Sequence, residues 1–211
     1  MKGIFTYLIG FTLLIYSAQA QIITASPEFP TMDDEVTITF NAAEGNGGLA
    51  GFTGDVYAHT GVITNNSTSA SDWKYVIAEW TENIDRARLT RVADDTYELS
   101  ITPSIKEFYG VPDGETVEQI AMVFRSADRT REGKTDSNGD IFYEVFAEGF
   151  ALNLSLPTQN SLLVQTNEDI PIEATTSEAA TFELLVNEVV VNTQSDITSY
   201  AYTHTATEVW V

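Results

Sequence analysis

The sequence predicts an all-β chain: an immunoglobulin-like β-sandwich followed by a second, truncated immunoglobulin-like β-domain. Three observations carry that reading. Apolar and polar residues alternate with period two in several short stretches, turn-forming residues separate those stretches, and one segment alone has a helical pattern.

Residues 1–20 are expected to be a cleaved signal peptide. Lys2 supplies a positive start, Ile4 to Tyr16 form an apolar run, and Ala18-Gln19-Ala20 gives the small-x-small pattern that signal peptidase cuts, leaving Gln21 first. The run is shorter than the roughly 20 apolar residues that span a bilayer. The mature product is therefore expected outside the cell or at its surface, with no membrane segment after cleavage.

In the mature chain, Val36, Ile38 and Phe40 take one face of a strand while Thr37 and Thr39 take the other. Tyr97, Leu99 and Ile101 alternate likewise with Glu98, Ser100 and Thr102. Both read as half-buried antiparallel strands. Val117 to Ser126 and Ile141 to Phe146 are more continuously apolar and are predicted near the middle of the sandwich. Asp33-Asp34, Asp94-Asp95, Pro112-Asp113-Gly114 and Ser137-Asn138-Gly139 supply turns, the last of them a hairpin. Ser104 to Tyr109 follows Pro103 and runs into Gly110, which limits it to one or two helical turns. These elements place the sandwich at residues 21–149.

A simpler β-pattern begins near Phe150 and occupies residues 150–211. It offers five strands, in Ala151–Pro157, Asp169–Thr175, Ala180–Val186, Glu188–Asn192 and Ile197–Thr203, and stops at Glu208–Val211 in what reads as mid-strand. An immunoglobulin-like sandwich generally needs seven, so this unit is expected to be incomplete.

Composition narrows function. The 211 residues carry a formal charge of −21, and without Lys2 31 acidic residues face 9 basic ones, about −22. That sign excludes nucleic acid as a natural partner and disfavours anionic membranes and acidic polysaccharides, while tolerating a neutral ligand. The chain has no Cys. It therefore lacks the lipidation site of a bacterial lipoprotein, any thiol nucleophile and any thiolate metal site, and its stability must come from an ordinary core.

Gly54–Trp80 holds one of two His (His59), two of three Trp (Trp73, Trp80), and Tyr57 and Tyr75, beside Asp, Asn, Ser and Thr. A pyranose presents an apolar C–H face and a rim of hydroxyls, so a sugar site needs exposed aromatic rings and a few polar partners. Trp73, Tyr75 and Trp80 are candidate platforms; Asp72, Lys74, Asp55, His59, Asn65 and Asn66 are candidate rim groups. If Trp73 to Ile77 is a strand, period two puts Trp73 and Tyr75 on one face, either both in the core or both out. Val56 and Ala58 read as core, which sends Tyr57 and His59 to the opposite, outward face.

Other motifs carry less. Asp136-Ser137-Asn138-Gly139-Asp140 has the D-x-N-x-D start of a calcium loop, but Ile141 stands where that loop needs glycine. Arg125, Arg129, Arg131 and Lys134 form the sole basic cluster, read as a solvated loop pairing with nearby acids. No serine elbow, HExxH helix or phosphate loop is present, and no metal, cofactor or catalytic residue is assigned.

The segments PEFPTMDDEVTITFNAAEGNGGLAGFTGDVYAHTGVIT, SDWKYV, ITPSIKEFYGVPDGETV, MVFRSAD and GDIFYEVF resemble the N-terminal β-sandwich module of secreted bacterial α-amylase-family glycoside hydrolases. The resemblance covers most of residues 27–147. It implies a starch-binding-like module, an immunoglobulin-like spacer over residues 150–211, and a catalytic barrel further along the same polypeptide as partner. A barrel needs on the order of 250 residues, which this chain cannot supply, so the chain itself is expected to be non-catalytic. Its expected ligand is then a neutral, starch-like α-glucan; the alternative is a spacer or docking domain that binds no glycan.

Overall fold

The computed structural model describes residues 21–158 and 161–207. The expected signal peptide and the strand pattern at Glu208–Val211 lie outside the described residues. The architecture is all-β. Strands β1 (Ile23–Ser26), β2 (Val36–Asn41) and β3 (Val56–Thr64) are followed by a single 3-10 turn at Asp85–Ala87. Next come β4 (Thr90–Ala93), β5 (Thr96–Ile101), helix α1 (Ile105–Tyr109), β6 (Val117–Ser126), β7 (Glu132–Gly133) and β8 (Ile141–Glu144). One sheet has the order β1-β2-β5-β4; the other places β3 on one side of β6, with β7 and β8 on its far side.

The predicted alternation sets the core. Val36, Ile38 and Phe40 of β2 are fully enclosed, and Tyr97, Leu99 and Ile101 of β5 are at most 1% exposed. From the facing sheet, Val56, Ala58 and Val62 of β3 and Ile120, Met122 and Phe124 of β6 fill the same layer. Phe40 and Phe124 stack with centroids 4.1 Å apart, which fixes the contact between the two sheets. Helix α1 is the short helix expected between Pro103 and Gly110: the Ser104 side chain accepts from the Glu107 amide at its start, and Gly110, at φ 73°, ends it in the left-handed region. The Tyr109 hydroxyl reaches into the core to Thr60 Oγ1 at 2.7 Å, giving both groups a partner.

Two expectations for this sandwich need correction. Ile141–Phe146 is not a central strand: β8 is four residues long with β6 on one side, and Val145 and Phe146 peel away to bond Glu118 and Pro30. Nor does Ser137-Asn138-Gly139 turn a hairpin, because β7 and β8 lie along the same side of β6 and the turn is an excursion between them. The turn itself is present, closed by Thr135 and Gly139, with Asn138 at φ 60°.

Beyond Val145 no residue joins that core cluster among those described. A separate sheet of order β11-β10-β9 contains β9 (Leu152–Leu156), β10 (Asp169–Val186) and β11 (Val189–Thr205). The five predicted strands are thus three. Asp169–Thr175 and Ala180–Val186 are halves of β10 joined across bulges, and β11 likewise passes through Asp196 at φ 58°. Tyr200 Oη lies 3.1 Å from Asn192 Oδ1, although eight residues of straight strand would span about 26 Å. The hairpin therefore doubles back on itself. Phe182 stacks on Tyr200 at 5.2 Å and 13°, and Tyr200 is left 3% exposed.

Candidate carbohydrate-binding site

The site is built on the outer face of the β3–β6–β8 sheet. Register places Tyr57 opposite Arg125, His59 opposite Val123 and Gly61 opposite Ala121, with Phe142 of β8 beside Ala121. All of these point away from the sandwich core. The chain between β3 and β4 returns along the free edge of β3: Val62 and Lys74 exchange backbone bonds of 3.0 and 2.8 Å, Ile77 bonds Thr60, and Leu89 bonds Val56. Between Ile77 and Arg88 it leaves that edge and crosses the outer face. Gly61 permits the close approach, since a Cβ there would meet the Lys74 carbonyl at 2.8 Å and Val76 Cγ2 at 3.0 Å.

This path brings Trp73 and Trp80 together over His59. Trp73 lies across the imidazole with centroids 5.7 Å apart at 29°, and Trp80 meets it edge-on at 5.2 Å and 79°. Phe142 abuts Trp73 at 6.4 Å in a T-shaped arrangement. Trp73, Trp80, His59 and Phe142 are all half-buried. Trp73 Nε1 is tied to the Ala70 carbonyl at 3.1 Å, which fixes its ring at the loop end.

The other predicted residues go elsewhere. Trp73 to Ile77 is not a strand, and Tyr75, at φ 52°, breaks the period-two register, so the choice between both rings in and both out does not arise. Tyr75 packs against the core and donates its hydroxyl to Glu115 at 2.6 Å. Tyr57 lies on the outward face of the sheet but is only 7% exposed, because the crossing segment covers it. Asp72 and Lys74 pair at 2.9 Å, and Asp72 also accepts from the Thr68 amide, so both serve the loop. Asp55 is engaged by Arg88 at 2.6 Å, and Asn65 accepts from the Thr116 amide.

Arg125 is the residue the sequence reading misplaced. It is 1% exposed and forms no ion pair among the described residues. Its guanidinium lies 5.5 Å from the Tyr57 ring and 5.6 Å from the Trp80 ring, and donates to Glu82 O at 2.5 Å and Asn83 Oδ1 at 2.7 Å. Arg129 and Arg131 do stand exposed in the turn after β6, but the expected pairing with acids is largely absent. Arg129 donates to Thr81 O and Arg131 lies over Phe52; Lys134 alone pairs with an acid, Glu132. A charged residue sharing the parity of Val123 within an apolar run was the available signal for a buried arginine.

The rings of the site sit beside one buried cation, with the Arg125 guanidinium 5.6 Å from the Trp80 ring. Burial pushes the His59 imidazole below its ordinary value of 6.5, the Arg125 charge pushes it the same way, and the Ala78 backbone, Glu79 and Asp140 oppose them. The ring is therefore uncharged at neutral pH, with Nδ1 enclosed and lacking a hydrogen-bond partner. Among the described residues no group of three or more His, Asp or Glu is placed to hold a metal ion. Two open clefts lie elsewhere, about 530 Å³ beside Asp55, Asp85, Arg88 and Arg91, and about 670 Å³ beside Met32, Glu118 and Phe146. Neither includes the two indoles. Compared with protein-family models and with curated proteins, the chain matches none.

Proposed function

We propose that the outer face formed by Trp73, Trp80 and His59 binds a neutral, starch-like α-glucan, and that the chain is a non-catalytic part of a secreted α-amylase-family glycoside hydrolase. The observation that carries the binding reading is the meeting of two half-buried indoles over an uncharged imidazole. The inclinations of 29° and 79° to His59 set the indole planes at least about 50° apart, the difference between the two. Angled platforms suit a curved glucan chain; a flat, ribbon-like glucan calls for coplanar ones. The family assignment rests on the resemblance of residues 27–147.

The affinity expected is weak. Covering roughly 50 to 80 Å² of apolar ring face contributes about 1 to 2 kcal/mol per platform. Two platforms and a few hydrogen bonds, less the ordering cost, leave about 4 to 6 kcal/mol, or millimolar to tens of micromolar. Such a site works by repeated attachment along a polymer.

The test is native electrophoresis of the chain through gels containing starch, with a linear β-glucan gel in parallel. Starch is expected to retard the parent, and Trp73→Ala to remove the retardation while leaving the far-ultraviolet spectrum unchanged. Equal mobility of the parent with and without either glucan refutes the reading. The spacer alternative is favoured by one observation: Tyr57 is buried and Tyr75 faces the core, so the platform has two rings and not four.

A further inference from the structure

We infer that Arg125 is a positioning residue for the proposed glucan surface, holding Trp80 over the outer face by clamping the segment Trp80–Asn83; the inference rests on the glucan reading for its functional half. Two ring contacts and two hydrogen bonds define the clamp. The guanidinium sits between the rings of Tyr57 and Trp80, at 5.5 and 5.6 Å, within the range of a cation–π contact. Its fork reaches Glu82 O and Asn83 Oδ1, two acceptors that a single lysine ammonium on a flexible stem cannot hold in the same geometry. The anchor is also reciprocated, because Asn83 Nδ2 donates to Ala127 O at 3.1 Å and Arg129 donates to Thr81 O at 2.8 Å.

A positively charged side chain at 1% exposure with no carboxylate partner has to be balanced by what surrounds it. Here two carbonyls, an amide oxygen and two ring faces surround the two terminal nitrogens, four of these five groups standing on other elements, while Nε is enclosed without a hydrogen-bond partner. The crossing segment contains no strand and no helix beyond the 3-10 turn; apart from Arg125 it is held by backbone bonds to β3 at its two ends and by the Thr81 and Asn83 bonds to the turn after β6. Without the fork, the indole of Trp80 would lose both its cation partner and the anchor two and three residues downstream. Trp73, fixed through the Lys74–Val62 bridge and the Ala70 carbonyl, would keep its place.

The test uses the full chain with Trp73→Phe and Trp210→Phe, so that Trp80 alone reports. Acrylamide quenching of its fluorescence is compared for this background and for Arg125→Met, Arg125→Lys and Asn83→Ala within it. Arg125→Met replaces the buried charge by a shorter unbranched apolar side chain and leaves Glu82 O and Asn83 Oδ1 without this donor; Asn83→Ala removes one acceptor and leaves the sheet untouched. Quenching is expected to rise about twofold in Arg125→Met and less in Asn83→Ala, with Arg125→Lys failing to restore the parent value. In the chain with all its tryptophans, Arg125→Met is expected to weaken starch retardation about tenfold, the loss of one platform. Unchanged quenching in both Arg125→Met and Asn83→Ala overturns the inference. If quenching rises as expected but the parent ignores starch, the clamp stands and the glucan reading fails.

Discussion

Replacing Gly61 with alanine is expected to loosen the entire covering segment. The added methyl would stand 2.8 Å from the Lys74 carbonyl oxygen and 3.0 Å from Val76 Cγ2, where ordinary contacts lie near 3.2 Å and 3.5 to 4.0 Å. Relief requires the Lys74 backbone to retreat by about half an ångström, which lengthens the bonds it exchanges with Val62, now 2.8 and 3.0 Å. Overpacking of this kind costs about 1 to 3 kcal/mol, and weakening two backbone bonds adds about 1 more. Against that, alanine restricts the unfolded chain and returns about 0.5 to 1 kcal/mol. The net expectation is a loss of about 2 kcal/mol, or a fall in Tm of roughly 6 to 10 °C for a sandwich of this size. Circular dichroism melts of Gly61→Ala, of Val76→Ala and of the double variant measure it. A Tm within a degree or two of the parent refutes the reasoning. So does full recovery in the double variant, since the backbone carbonyl, and not the exposed Val76 methyl, is the obstacle that cannot move.

Two further outcomes are expected. Because His59 has a lower proton affinity folded than unfolded, its contribution to stability is whole above about 6.5 and is lost as pH falls through the folded value; melts between about pH 7.5 and 5 should show the parent losing stability relative to His59→Gln, and parallel profiles would refute this. Tyr200→Phe removes the bond to Asn192 that ties the two halves of β11, at a cost of about 1 kcal/mol, and should speed amide exchange in Val189–Gln194 while leaving the sandwich strands unchanged.

What the sequence disclosed, and what it withheld, follows the range of the forces involved. Alternation in Val36–Phe40 and Tyr97–Ile101 is a local consequence of the pleat, and the enclosed residues are the expected ones. Parity also assigned Tyr57 and His59 to the correct face. Burial of Tyr57 failed because its cover comes from the Ile77–Arg88 excursion, a tertiary event with no local marker. The register of Trp73 and Tyr75 failed for another reason: a tyrosine at positive φ is rare, and no Gly or Asn at position 75 announces the break. In β10 and β11, bulges did the work that turns were expected to do, so the strand segments were legible and their connectivity was not. Arg125 was read by charge alone, when its place inside VEQIAMVFRS was the better guide.

The edge of β3 has one more consequence, for how such a surface could change. Its two fixed points, the Val62–Lys74 bridge and the Leu89–Val56 bond, belong to the scaffold, while Trp80 and its neighbours hang between them. Closing a loop between fixed ends costs only about 0.6 kcal/mol for each doubling of its length. With Ile77, packed against the core cluster, and Ala87, 1% exposed, kept as anchors, residues 78–86 can therefore be exchanged for a stretch of different length or chemistry, at the loss of the Arg125 contacts. In the proposed glucan reading, the Trp80 half of the surface is an interchangeable part, carried on a strap whose buckles are backbone hydrogen bonds.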